Sequence, residues 1–229
     1  MPTPTATPDN RSQLLSTARS LFTEHGYDRT SVDAILKQAG LSKGTFYHYF
    51  AAKDELLDSV TRQAVEQEIE ELRDQLRPSG LTAVQRLNIV FTRSRIWRLS
   101  RVASTRRWLA ALYRLENAQL LRRWSEHQQE LLAPVIAEVL DQGNDAGSMA
   151  VMDTHETAPL LVAMLQAMRA IQAELLLTMT DPEVAAELIG RRVELYLTAL
   201  ERVIGMPEGR FTRPDPGYLQ TYARVWWER

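Results

Sequence analysis

Cysteine is absent from the 229-residue chain and lysine nearly so, Lys37, Lys43 and Lys53 being the only three. Without thiols there is no disulfide framework, no thiolate metal site and no cysteine nucleophile, a pattern that suits a reducing compartment. Alternating strand-like runs bounded by hairpin turns are also missing. No H-E-x-x-H, P-loop or G-x-S-x-G occurs, and His25, His48, His127 and His155 show no metal-ligand spacing. His155 and Glu156 are neighbours, but adjacent residues on a helix point apart. No catalytic residue, metal or cofactor is therefore expected, and a helical enzyme is the weakest reading. The formal charge of −2 gives no overall attraction to nucleic acid, so any such binding has to come from local placement.

Long uninterrupted apolar runs are lacking as well. The most apolar stretch, 158–179, carries Gln166, Arg169, Gln172 and Glu174, so no membrane span is expected. Residues 1–9 have neither the basic start nor the apolar run of a signal peptide and read as a flexible arm, which makes the cytoplasm the expected compartment.

What is present is helical periodicity throughout, hence an all-α chain. A first helix is expected over 10–25, with Leu14, Ala18, Leu21 and Phe22 on one face and Gly26 ending it. Thr30, with Asp33 three residues on, resembles a capping box that opens a short helix closed by Gly40. Ser42 can cap a third helix over 43–49, with Phe46 and Phe50 turned inward. Further helices are expected near 52–76, 81–100, 104–112, 114–141, 157–179 and 183–204. Pro134 should kink or restart its helix, 143–156 reads as a loop, and an aromatic helix is expected over 218–227.

Helix, glycine turn, helix is the helix-turn-helix arrangement, in which the second helix enters the major groove. Gly40 supplies the turn; Leu41, Phe46 and Phe50 supply anchors. The residues between them suit DNA. Lys43 can meet a phosphate or a guanine edge, Thr45 offers a hydroxyl or a methyl, and Tyr47 and His48 can donate to phosphate oxygens. Gly44 allows close backbone approach. Thr30, Ser31 and Ser42 stand at helix starts, where free N–H groups and the helix dipole favour phosphate. Lys53 adds a positive charge at the start of the next helix. Seven basic residues between Arg11 and Arg62 face seven acidic ones between Asp9 and Asp58, so the segment is about neutral and few phosphate contacts are expected.

Three runs carry a family resemblance: Phe22-Thr-Glu-His-Gly-Tyr-Asp-Arg-Thr-Ser-Val32, Ala39-Gly-Leu-Ser-Lys-Gly-Thr-Phe-Tyr-His-Tyr-Phe50 and Ala52-Lys-Asp-Glu-Leu-Leu57. Together they resemble the signature of the TetR family, over roughly residues 10–60. One departure is Leu36, where the family commonly has a small residue. The resemblance implies a three-helix DNA-binding domain over 10–58 and a larger helical effector-binding and dimerisation domain over 59–229. It further implies a homodimer on a palindromic, double-stranded operator, and repression relieved by a small molecule. An activator, or a regulator blind to ligands, remains open on sequence grounds.

In the carboxy-terminal part, 157–179 is apolar apart from a stripe through Gln166, Arg169 and Gln172, so it should be buried on more than one side. The next helix has one seam through Ala185, Ile189, Val193, Tyr196 and Leu200, and another through Leu188, Leu195 and Ala199. Two seams suit a core and a partner, so these two helices are the expected dimer contact. Ligand candidates are positions where aromatic and isolated polar residues mix: Phe91, Ser94 and Trp97, then Asn117, Trp124 and Gln128, with Met164 and Met168 as adaptable lining. Plain core suits each of these positions equally. Ten arginines lie between Arg86 and Arg123 against Glu116 alone, which leaves either an anion site or pairing with the acidic helix before them.

Overall fold

A computed structural model describes residues 9–92, 106 and 109–227. The elements are α1 (Asn10–His25), α2 (Val32–Ala39), α3 (Lys43–Tyr49), α4 (Lys53–Leu76), α5 (Ala83–Thr92), a 3-10 turn at Leu115–Asn117, α6 (Ala118–Asp145), α7 (Thr154–Thr178), α8 (Pro182–Val203) and α9 (Pro216–Trp227). Among the described residues there is no strand, and the all-α reading holds. The chain forms two compact units: a head, up to Val65 together with Ala111–Trp124, and a body, Glu66–Ala110 together with Ser125 onward. The head thus takes in a later segment that the 10–58 division leaves out.

In the head, Asp9 caps α1 by accepting the Ser12 N–H at 2.6 Å. α1 ends at Gly26, whose φ of 92° only glycine adopts readily. The far segment is held there by Asn117, which is fully buried. Its amide donates to the carbonyls of Ala111 at 2.7 Å and Phe22 at 3.3 Å, and its oxygen accepts the Tyr27 N–H at 2.6 Å. A buried amide with its donors and acceptor engaged fixes position at little net cost, because none of its polar atoms is left without a partner. α1, α2 and α3 pack on one another around Leu14, Phe22, Ile35, Phe46 and Phe50. Leu36 belongs to this core, so the departure from the family pattern is absorbed by packing.

One cap falls a residue later than the sequence reading. Ser31, not Thr30, caps α2 by accepting the Ala34 N–H at 3.1 Å, so no capping box forms with Asp33. Thr30 is buried and donates its hydroxyl to the Gly26 carbonyl at 2.7 Å instead.

In the body, α8 packs against both α7 and α9. The expected loop over 143–156 is shorter, because α6 runs unbroken through Pro134 and on to Asp145. Gly143 is helical there, and the Met149 side chain lies where a Cβ would project, so this glycine serves close packing rather than a turn. α9 closes the end of α7: Trp226 donates its indole N–H to Leu176 O at 2.8 Å and Trp227 to Met179 O at 3.0 Å. These carbonyls lie in and just past the last turn, where helical partners run out. Glu201, fully buried, is held by Arg213 at 2.6 Å and by the N–H groups of Gly209 and Phe211.

α7 buries Leu161, Val162, Leu165, Leu175 and Leu176 in the usual way, yet carries polar groups on the same side. Its polar stripe is inside: Gln166 donates to Ser125 O at 2.9 Å, Arg169 pairs with Glu68 at 3.1 Å, and Gln172 is buried. Leu160, Ala163, Ala167 and Leu177 are exposed. By length and composition α7 passes for a membrane span; in this fold half of that apolar window is buried. On α8 the seam through Ala185, Ile189, Val193, Tyr196 and Leu200 is buried, whereas Leu195 is 72% exposed and Leu188 and Ala199 are half-buried.

Candidate nucleic-acid interface and ligand cavity

α3 presents a polar face on an aromatic base. Phe46 is fully buried, with Phe50 at 5.9 Å between ring centroids and Tyr47 meeting it edge-on at 5.3 Å. Ser42, Lys43, Gly44, Tyr47 and His48 are exposed and Thr45 is half-buried, so the structure brings the six α3 candidates together on one short element. Tyr47 is 61% exposed, a large aromatic held in water by its helix position. Ser42 accepts the Thr45 N–H at 3.1 Å, and the two hydroxyls lie 2.9 Å apart. Exposed Ser31 occupies the corresponding cap of α2. Lys43 is paired with Asp33 at 3.1 Å, both side chains being largely exposed, so its charge is partly answered already.

Lys53 is committed to the head's own architecture. Its ammonium donates to Tyr27 O at 3.0 Å and Thr30 O at 3.1 Å and lies 4.0 Å from the Tyr27 ring centroid. The Tyr27 hydroxyl bonds Asp54. Burial first, and that bond second, push the phenol's pKa upward. Thr30 faces inward, as described above. Lys53 and Thr30 together pin the start of α4 to the α1–α2 turn.

Residues 14–60, which include α2, α3 and the glycine turn between them, match the family of bacterial regulatory proteins, tetR family. Over these residues, about a fifth of the chain, the head is similar to regulators of the TetR family. It is 34% identical over 64 residues to the HTH-type transcriptional regulator UidR of Escherichia coli, covering 28% of this chain and 33% of that one. The HTH-type transcriptional repressor AcnR of Corynebacterium diphtheriae is 27% identical over 139 residues, 61% of this chain and 67% of that one. Against the first curated relatives, the chain spans about a third of their length. Likeness of fold extends further along the chain. The SmeT–triclosan complex superposes with a TM-score of 0.62 at 22% identity, over 91% of this chain and 97% of that one. The fatty acid degradation regulator FadR from Bacillus halodurans gives 0.60 at 20%, over 85% and 97%.

Within the body lies a cavity of about 880 Å³. Its apolar wall includes Phe91, Leu165, Met168, Val193 and Leu197, and its polar groups include Arg169, Gln172, Tyr196, Arg213 and Asp215. Volume and lining suit a small organic molecule. Tyr196 is buried, and its hydroxyl has no hydrogen-bond partner among the described residues. Burial pushes its pKa up, against the opposing charge of Arg169, so the hydroxyl stays a donor.

Of the residues singled out in the sequence, Phe91 and Met168 line this cavity. Met164 is half-buried and is not among the lining residues. Gln128 is buried in the body and donates to Glu68 at 3.1 Å. Asn117 and Trp124 belong to the head. Ser94 and Trp97 lie outside the described residues. Tyr196, Gln172 and Arg169 line the cavity without having been candidates, although the polar stripe on an apolar helix was the available signal for the last two. Three of the ten arginines donate to main-chain carbonyls: Arg86 to Leu76, Arg106 to Trp226 at 3.0 Å and Arg114 to Glu24 at 3.2 Å. Arg93, Arg95, Arg98, Arg101 and Arg107 lie outside the described residues. Among the described residues no group of three or more His, Asp or Glu is placed to hold a metal ion.

Proposed function

We propose that this protein is a cytoplasmic transcriptional repressor that binds a palindromic operator as a homodimer and leaves it when a small molecule enters the body cavity. The observation that carries the reading is the exposed polar face of α3 on its buried aromatic base, within the segment that matches the family. In this reading Lys43, Gly44, Thr45, Tyr47 and His48 meet the major groove and its backbone. Ser31 and Ser42 place helix-start N–H groups near phosphate, and Lys53 and Thr30 act by holding the head in shape.

A second copy is supported by the outward seams of α7 and α8, where Leu160, Leu177, Val184 and Leu195 are exposed. Side chains of this kind at helical spacing on two neighbouring helices suit a four-helix contact between copies, and two-fold symmetry matches a palindrome. Repression is favoured by the relative named a repressor. Effector binding is favoured by the cavity and by two solved structures of similar fold, RolR in complex with resorcinol and SmeT in complex with triclosan.

The test is a gel-shift titration of the full chain against DNA flanking its own gene, with excess competitor DNA. A specific shift at a two-fold symmetric site, coupled to lowered transcription from that promoter, is the expected result. Stimulated transcription would overturn the repressor assignment, and a shift insensitive to DNA sequence would overturn operator recognition.

A further inference from the structure

The chemistry of the cavity narrows what it can hold, and this inference deepens the effector site of the proposed function. Three observations meet there. Tyr196 lines the cavity together with Phe91, Leu165, Val193 and Leu197, and its buried hydroxyl has no hydrogen-bond partner among the described residues. A buried donor left unpaired is costly, so a ligand that brings an acceptor gains more there than one that brings only hydrocarbon. Gln172 of α7, also buried, is a second polar residue of the lining.

The cationic groups of the lining are already answered. Arg169 is paired with Glu68 at 3.1 Å, and Arg213 with Glu201 at 2.6 Å and Glu194 at 3.2 Å. An incoming carboxylate would have to be stripped of water and then compete with these carboxylates for the same guanidinium groups. Asp215 at the rim is exposed, where solvent weakens its pull on a cation.

We propose that the cavity takes an uncharged, mainly apolar molecule carrying an oxygen acceptor such as a ketone, ester or lactone carbonyl, with that oxygen on the Tyr196 hydroxyl. Arg169 remains with Glu68 on binding, and Gln172 supplies the second polar contact. Phe91, whose ring meets Tyr196 edge-on at 6.4 Å, and Leu165 flank the ligand's apolar part.

Equilibrium dialysis of the full chain, without DNA, against three matched probes tests this: 2-acetylnaphthalene, 2-ethylnaphthalene and 2-naphthoate. The ketone should bind at least about fivefold more tightly than either of the others, in line with a hydrogen bond of ordinary net strength. Tyr196→Phe should bring the ketone down to the level of the ethyl compound, leave the ethyl compound unchanged, and keep or raise the thermal midpoint, since it deletes an unpaired buried hydroxyl. Tighter binding of naphthoate than of the ketone, an unaltered ketone in Tyr196→Phe, or no uptake of any probe would each overturn the assignment. Because no DNA is present, the outcome is separate from the gel shift: a ketone that binds without releasing operator would refute ligand-released repression and leave this site standing.

Discussion

Helix α3 turns Phe46 inward and Ser42, Lys43, Tyr47 and His48 outward, whereas α7 holds Gln166, Arg169 and Gln172 within the body and leaves Leu160, Ala163, Ala167 and Leu177 exposed. Both follow one rule: a side chain goes where its polar or apolar atoms find partners. On α3 the outward polar groups are exposed, with Lys43 answered by an exposed Asp33, and the operator reading gives them phosphates and base edges. On α7 Gln166 and Arg169 already have partners, the Ser125 carbonyl and the Glu68 carboxylate, while Leu160 and Leu177 are left partly exposed among the described residues. The proposed second copy would cover them.

The sharpest way to break the comparison is to remove one inward group from each helix. Phe46→Ala should cost about 3–5 kcal/mol, as truncation of a fully buried aromatic does, and unfold the head. Arg169→Ala should cost roughly 3 kcal/mol by leaving Glu68 without its cation, while replacing both partners by apolar residues should cost much less. Urea unfolding of the three variants checks this, and a neutral Arg169→Ala would show that the inward stripe contributes nothing to stability.

Acid provides a second, similar-sized effect confined to the body. The Arg213 guanidinium first, and the Phe211 and Gly209 N–H groups after it, hold the Glu201 carboxyl down to about 2 against the opposing effect of burial. A carboxyl held below its unfolded value stabilises the fold at pH above that unfolded value, and the contribution is lost as pH falls toward 2. Thermal midpoints measured from pH 6 to pH 3 should therefore fall less steeply in Glu201→Gln than in the native chain, although the variant starts lower. Parallel curves would remove Glu201 from the account.

Outward groups should behave differently. Leu160→Glu with Leu195→Glu should change folding stability by less than about 1 kcal/mol, because both sites are exposed, yet weaken self-association tenfold or more. Sedimentation velocity reads the second quantity, and an unchanged dimer would exclude these seams as the contact. The smallest effect is expected from Asp33→Asn, which frees Lys43 from its ion pair. Operator affinity should rise a few-fold and its salt dependence should steepen slightly, since one more cation is then available to phosphate.

Much of the head was legible in the sequence because its signals are local. Gly26, Gly40 and Ser42 mark helix ends within a few residues of where they act, and the four-residue spacing of Phe46 and Phe50 identifies the inner face of α3. What escaped depends on distant partners. Asn117 binds Tyr27, ninety residues away, and nothing around Asn117 announces that. Lys53 reads as a surface charge until the Tyr27 and Thr30 carbonyls are placed beside it. Gly143 carries a turn signal by composition, but the side chain of Met149 lying across α6 makes it a packing residue. In the cavity, Tyr196 has the spacing of a core residue and is one; only its unpartnered hydroxyl distinguishes it from its neighbours in the seam.

The most direct measurement is the operator affinity of Tyr47→Ala beside the native chain, after circular dichroism and sedimentation have shown both to be folded and equally associated. Tyr47 is largely exposed and meets Phe46 edge-on, and with fold and association checked, its effect reports on what α3 meets from outside. A loss of at least about tenfold is expected, the range of one good contact to DNA, with thermal stability little changed. Equal affinity of the two proteins for the operator would contradict the claim that this face of α3 reads DNA.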